Sequence, residues 1–295
     1  GQPFTYTVAP VITVTAQAYG GATTQNYTGS LWRLTNASLA GRTYTPTPAT
    51  PSLVTTGLPS TATDPAIVDA GSSGGTAGNG TLTFSAGSGL SFLRGTPIVP
   101  ISANVALSIN VIDLDGAAAS NPVTFGSGSG ISFSTGASQY YGRLALRNAT
   151  GSELLDLPMS LTTQYYASAA TGFTTNTADS CSAAPSIAFS GYQMNLTSGK
   201  TCVRDSGNPG VSGAGCSAAA GSAYRSTALA GDFNLILAAP GSGYNGALNV
   251  TATPTASWLQ YLWSASSGTN SSPSGEATFG VFPGSASRIY QREVY

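Results

Sequence analysis

Few residues in this chain could do chemistry, and their types narrow what that chemistry is. Asp113-Leu-Asp115-Gly116 sets two carboxylates two residues apart before a glycine turn, the opening of a calcium-binding loop. The third ligand and the bidentate glutamate of such a loop are missing. The competing reading is therefore a strand-ending turn with solvated acids. Glu153 and Asp156 lie three residues apart. A glycosidase needs two carboxylates roughly 5–10 Å apart across a cleft, whereas acids this close in sequence read more simply as turn and cap residues paired with Arg143 or Arg147. The other nearby acids are Asp179, Asp205 and Asp232.

Histidine is absent. A His-ligated metal site, a Ser-His-Asp triad and a Cys-His dyad are thereby excluded. Only 10 Lys/Arg and 11 Asp/Glu occur in 295 residues, a charged fraction of 7 % and a net charge of −1. A nucleic-acid binder needs clustered cations to neutralise phosphates, and scattered arginines with a single lysine, Lys200, do not supply them. No partner nucleic acid is expected. No run approaches the ~18 apolar residues of a membrane span. No cofactor is implied, calcium at Asp113 and Asp115 apart.

Three cysteines, Cys181, Cys202 and Cys216, sit in Gly/Ser/Asn-rich sequence. In an extracytoplasmic protein two of them form a bridge. Cys181–Cys202 is the first expectation because each lies beside a strand-like run, with Cys202–Cys216 as the alternative. Aromatic residues are the other resource: 14 tyrosines, with pairs at Tyr140-Tyr141 and Tyr165-Tyr166, and Trp32, Trp258 and Trp263. Exposed Tyr and Trp stack on sugar rings and anchor protein interfaces, although most aromatics in a β protein belong to the core. Seven Asn-X-Ser/Thr triplets occur, at Asn26, Asn36, Asn79, Asn148, Asn195, Asn249 and Asn270; several are expected by chance in so Ser/Thr-rich a chain, and alone they decide nothing.

The elements that must position these groups are strands. Ile12, Val14, Ala16 and Ala18 alternate with Thr13, Thr15, Gln17 and Tyr19, the period of a half-buried strand. Val105, Leu107, Ile109 and Val111 repeat the pattern, as do Leu144 and Leu146, the run Phe233–Leu237, and Leu248, Val250 and Ala252. Shorter runs read as strands at 81–85, 123–125, 131–134, 159–163, 187–190 and 278–282, with a last strand over 289–295. Asn79-Gly80, Asp115-Gly116 and Asn245-Gly246 supply turns. No helical period persists beyond about two turns. The fold expected is all-β: two β-sandwich, immunoglobulin-like domains with long Gly/Ser/Thr/Pro-rich loops. A Gly/Ala/Ser-rich stretch over 116–130 places the boundary near 120, giving domains 1–120 and 121–295. Residues 43–80 and 203–230 read as irregular excursions. Gly1-Gln2-Pro3 opens directly into strand-like sequence, so the chain reads as a mature or trimmed piece of a longer precursor.

Specific strings go further. They are Gly142-Arg-Leu-Ala-Leu-Arg-Asn-Ala-Thr-Gly-Ser-Glu-Leu-Leu-Asp-Leu-Pro158, Gln164-Tyr-Tyr with Thr175-Asn-Thr-Ala-Asp-Ser-Cys181, and Ala277-Thr-Phe-Gly-Val-Phe-Pro-Gly284 followed by Arg288 to Tyr295. In the first half, Gln17 to Gly29 and Val111-Ile-Asp-Leu-Asp-Gly116 join them. Together they resemble the C-terminal domain of unknown function of MshQ-like proteins, bacterial surface proteins associated with the mannose-sensitive haemagglutinin type IV pilus. The resemblance implies an extracellular protein of a Gram-negative bacterium, with the closing Arg-Glu-Val-Tyr295 as the native C-terminus. It supplies no catalytic residues and no ligand.

The expectation is a non-enzymatic surface protein, a pilus-associated adhesin or pilus component. Its partners would be pilus components or host and surface glycans. The alternative is a subunit that joins copies of itself into an extracellular fibre. Low charge removes self-repulsion, and the first strand (Ile12, Val14, Ala16) or the last could be added to a neighbour's sheet. A carbohydrate-active enzyme using Glu153 or Asp156 is the third reading.

Overall fold

The computed structural model describes residues 1–87, 89–125, 138–205, 223–263 and 268–281. It is all-β: apart from four single-turn 3-10 segments, the regular elements described are strands. They build two compact units, Gly1–Tyr141 and Gly142–Tyr295.

In the first unit, the strand Val11–Thr15 pairs with Asn79–Thr83, which pairs on its other side with Ala66–Asp69. A second sheet orders Ala40–Thr47, Asn104–Asn110 and Val123–Phe125. Alternation explains the layering. Val105, Leu107 and Ile109 from one sheet meet Ile12 and Leu82 from the other in a single apolar cluster closed by Phe4, Phe84, Leu90 and Phe92. Each fully buried Leu, Ile or Phe here contributes about 1.5–3 kcal/mol.

The sandwich-like second unit follows the same plan. One sheet orders Gly142–Leu146, Leu161–Ser168 and Gly172–Thr175. Another orders Ala149–Gly151, Ser274–Phe279, Gly246–Thr253 and Ser186–Ser190, its first pair parallel. Leu157–Met159 pairs with Leu235–Leu237. Leu144, Leu161, Ile187, Phe233, Leu248, Val250 and Phe279 fill the core between them.

Two expectations change. The boundary lies at Tyr141/Gly142, not near 120. Val123–Phe125 completes the second sheet of the first unit, and Ser138–Gln139 pairs back onto Ile101–Ser102, so the chain does not leave that unit at its Gly/Ala/Ser run. Second, residues 43–80 are not one irregular excursion. They contain most of Ala40–Thr47, then Leu53–Val54 and Ala66–Asp69. The long strand Ala40–Thr47 presents Arg42 and Tyr44 where a strand would ordinarily present aliphatics. Arg42 crosses to Asp64 with a 2.6 Å ion pair, and its guanidinium also donates to the Tyr44 hydroxyl oxygen and lies 5.0 Å from the Phe84 ring centroid. The expected strands over 131–134 and 289–295 lie outside the described residues.

Among the described residues no helix is long and apolar enough to cross a membrane.

Candidate functional site

Two of the acids singled out in the sequence, Asp113 and Asp156, are engaged by the fold. Asp113 folds its own turn: its Oδ1 accepts the backbone N–H groups of Asp115 and Ala117 at 3.0 and 2.8 Å, and its Oδ2 accepts the Tyr27 hydroxyl at 2.8 Å. Gly116 takes the left-handed φ of +84° that this turn requires. Asp115 points outward, 3.7 Å from Arg33. Among the described residues no three His, Cys, Asp or Glu side chains gather as metal ligands. The strand-ending turn is what these residues build.

Asp156 holds Arg204 with bonds of 2.8 and 3.0 Å and accepts the Ala239 N–H at 2.9 Å. The Arg204 hydrogen bond, with the Ala239 N–H, keeps its carboxyl below the usual range against a smaller opposing effect of burial. Its partner is thus neither Arg143 nor Arg147. The Glu153 carboxylate lies against Gly280, a place with no room for a Cβ. The expected Cys181–Cys202 bridge is not formed. Cys181 is a free, exposed thiol, whereas Cys202 is disulfide-bonded. Cys216 lies outside the described residues. Cys181 instead sits in a turn capped by the Asp179 carboxylate, which accepts the Cys181 and Ser182 N–H groups.

Ile12, Val14 and Ala16 lie on or beside an edge strand. Ile12 is buried under the first core and pairs with Leu82, and Val14 pairs with Gly80. The N–H of Ala16 bonds to the Gly78 carbonyl. Among the described residues no strand pairs with the other side of Val11–Thr15.

The remaining candidate is an aromatic strip on the second unit. Arg143 pairs across the sheet with Gln164, and Tyr166 pairs with Phe173, so these four side chains share the face turned away from Leu144 and Leu161. A chain segment containing the 3-10 turn Ser257–Leu259 packs on the Gly142–Leu146 strand and carries Tyr261 and Trp263 onto the same face, where Tyr261 is bridged to Ser271. Four rings then run edge to face. Tyr166 to Phe173 is 5.5 Å, Phe173 to Tyr261 is 5.1 Å and Tyr261 to Trp263 is 5.3 Å between centroids, with interplanar angles of 69–77°. Trp263 is 39 % exposed.

Arg143 stands in the middle of this strip. Its guanidinium carbon lies 3.8 Å from the Phe173 centroid, 4.7 Å from Trp263 and 5.0 Å from Tyr261. Its Nε donates to Gln164 Oε1 at 3.0 Å. Burial lowers its pKa, the Tyr261 hydroxyl opposes this, and the neighbouring positive charge of Arg147 lowers it further. Arginine stays charged through shifts of this kind. Neither Arg143 nor Arg147 has a carboxylate partner among the described residues.

Sequence reasoning named Trp263 and Tyr166 as aromatic candidates but passed over Phe173 and Tyr261, and it assigned Arg143 to an acid it does not meet. The cross-strand register that gathers them is not visible in composition. A second groove, in the first unit, is lined by Trp32, Leu34, Asn36, Ala62, Ile67 and Asp69. There the Asp69 oxygens are already taken by Thr28, Gly29, Gly71 and Ser72, and Trp32 is pressed so closely on Gly80 that a Cβ there would strike the ring.

Residues 1–139 match the family model described as the third domain of DUF6701, and residues 140–294 match that of its fourth domain. The chain belongs to the DUF6701 family. The two DUF6701 domains meet within two residues of the structural boundary at Tyr141/Gly142. The Arg143 strip thus belongs to the fourth domain, and the edge strand Val11–Thr15 and the Trp32 groove to the third. No curated protein and no solved structure matches the chain.

Proposed function

We propose that this chain is part of a non-enzymatic, extracellular bacterial surface protein that binds saccharides through the fourth-domain strip, acting as an adhesin or pilus-associated component. The observation that carries this reading is the run of four rings ending in part-exposed Trp263, with Arg143 among them. A strip of edge-to-face rings offers the apolar faces on which sugar rings stack, and a guanidinium offers several donors to hydroxyl oxygens. The resemblance of the 142–158 and 277–284 strings to MshQ-like proteins supports the pilus association and the extracellular location. The engaged state of Asp113 and Asp156 supports a binding rather than a catalytic role. The test is a glycan array probed with the purified chain and with Trp263→Ala. Binding to a defined glycan set that is lost in the variant is expected. Absence of binding by the wild-type chain, or binding unchanged by the variant, would overturn the reading.

A second reading, self-assembly into a fibre, is favoured by the open edge of Val11–Thr15. Because Ala16 donates to Gly78 and Phe84 donates to the Pro10 carbonyl, the even-numbered positions bond inward, and the N–H groups of Val11, Thr13 and Thr15 face the open side. A Thr13→Pro chain keeps the inner ladder and blocks that edge. Filaments seen by electron microscopy for the wild type and abolished by this change would support assembly by strand addition; filaments unaffected by it would refute this route.

A further inference from the structure

We infer that the fourth-domain strip selects acidic saccharides, with the guanidinium of Arg143 receiving the carboxylate of a uronic or sialic acid. This rests on the saccharide-binding reading above and names its ligand class.

Charge complementarity singles out Arg143. Arg42 and Arg143 both lie over aromatic rings in a half-buried setting, and Arg42 is matched by Asp64 at 2.6 Å. Arg143 has three rings around it, one neutral amide at its Nε and a second cation, Arg147, close enough to be felt. The two Nη atoms retain donors that no described side chain takes. Guanidinium is weakly hydrated and its planar fork matches a carboxylate, so an unpaired one held rigid among aromatic rings is pre-organised for an anionic group on a ring-shaped ligand. Gln164 is 6 % exposed and fixes the Nε side, which leaves the Nη edge as the one that turns to a ligand. These groups therefore ask for one molecule with two features: an apolar ring face for Tyr261 and Trp263, and a carboxylate for Arg143. Acidic sugars have both, and a simple inorganic anion has only one.

The experiment is a titration of the whole chain followed by tryptophan fluorescence, with trigalacturonate against galactotriose and sialyllactose against lactose. The wild type is expected to bind at least one acidic sugar about tenfold or more tightly than its neutral counterpart, a preference of the size of one charge-assisted hydrogen bond. Arg143→Gln should abolish that preference, so that acidic and neutral sugars bind with equal affinity. Thermal melts of each variant establish that it is folded, and Arg147→Gln reports the outer cation alone if the Arg143 variant does not fold. Equal binding of acidic and neutral sugars would overturn the acidic selectivity and leave saccharide binding standing. No binding of either would overturn both. Inorganic phosphate competing as well as trigalacturonate would also overturn the inference, since the site would then read charge without the ring.

Discussion

Arg42 and Asp64 form an ion pair of 2.6 Å whose two side chains are only 12 % and 7 % exposed. Asp64 also accepts the Ser85 N–H at 2.6 Å, and Arg42 gives a second bond to the Asp64 carbonyl. The pair thus ties the loop before Ala66–Asp69 to the strand Ala40–Thr47 inside the first unit. Arg143, equally surrounded by rings, has no such partner.

Removing one member of the buried pair leaves the other charged and unmatched. Asp64→Ala should therefore lower the stability of the first unit by about 3–5 kcal/mol. Asp115→Ala, which breaks the exposed Arg33–Asp115 pair, should cost no more than about 1 kcal/mol. Chemical denaturation of the two variants compares them directly. Equal losses would mean that the Arg42–Asp64 pair does not hold this part of the fold.

Acid sensitivity has an identifiable source at Asp69. Burial raises its pKa, but hydrogen bonds from Ser72, Gly29 and Thr28 outweigh that and hold it at about 2, below the ordinary 3.8. A depressed carboxyl contributes stability that is fully present above the unfolded value and is lost as pH falls through the folded one. The contribution of Asp69 should therefore fade between about pH 4 and pH 2. Stability measured across this window should fall less steeply in Asp69→Asn than in the wild type. Identical pH profiles would remove Asp69 as a contributor.

Thiol chemistry separates the cysteines. Cys181 is exposed and free, while Cys202 is disulfide-bonded. Maleimide should label Cys181 on the native chain and should leave Cys202 untouched until a reductant is added, as peptide mass spectrometry would report. Labelling of Cys202 without reductant would contradict the assignment.

Much of the fold is legible in the sequence because alternation of apolar and polar residues is a direct consequence of the pleat. The strands containing Val105 to Ile109 and Leu248 to Ala252 follow it closely. The strand Ala40–Thr47 escapes because its inward positions are Arg42 and Tyr44, whose burial depends on Asp64 far along the chain. Prolines at 46, 48 and 51 add to its loop-like look. The boundary escapes because Val123–Phe125 returns to Leu107–Ile109 after a run of small residues that resembles a linker. The site is legible only in part. Trp263 and Tyr166 stand out by type. What joins them to Arg143, Phe173 and Tyr261 is the register of Arg143 on Gln164 and of Tyr166 on Phe173, a long-range relation that residue types do not carry.

The central claim is that the strip around Arg143 is where a saccharide sits. Two-dimensional nitrogen–proton spectra of the chain, recorded with increasing trigalacturonate, test it most directly. The account predicts that the Trp263 indole N–H and the Arg143 Nε–H signals shift together and saturably, while the Trp32 indole N–H, bonded at 2.9 Å to the Leu34 carbonyl in the other unit, stays in place. Shifts centred on Trp32 with Trp263 and Arg143 unmoved, or no saturable shift at all, would contradict it.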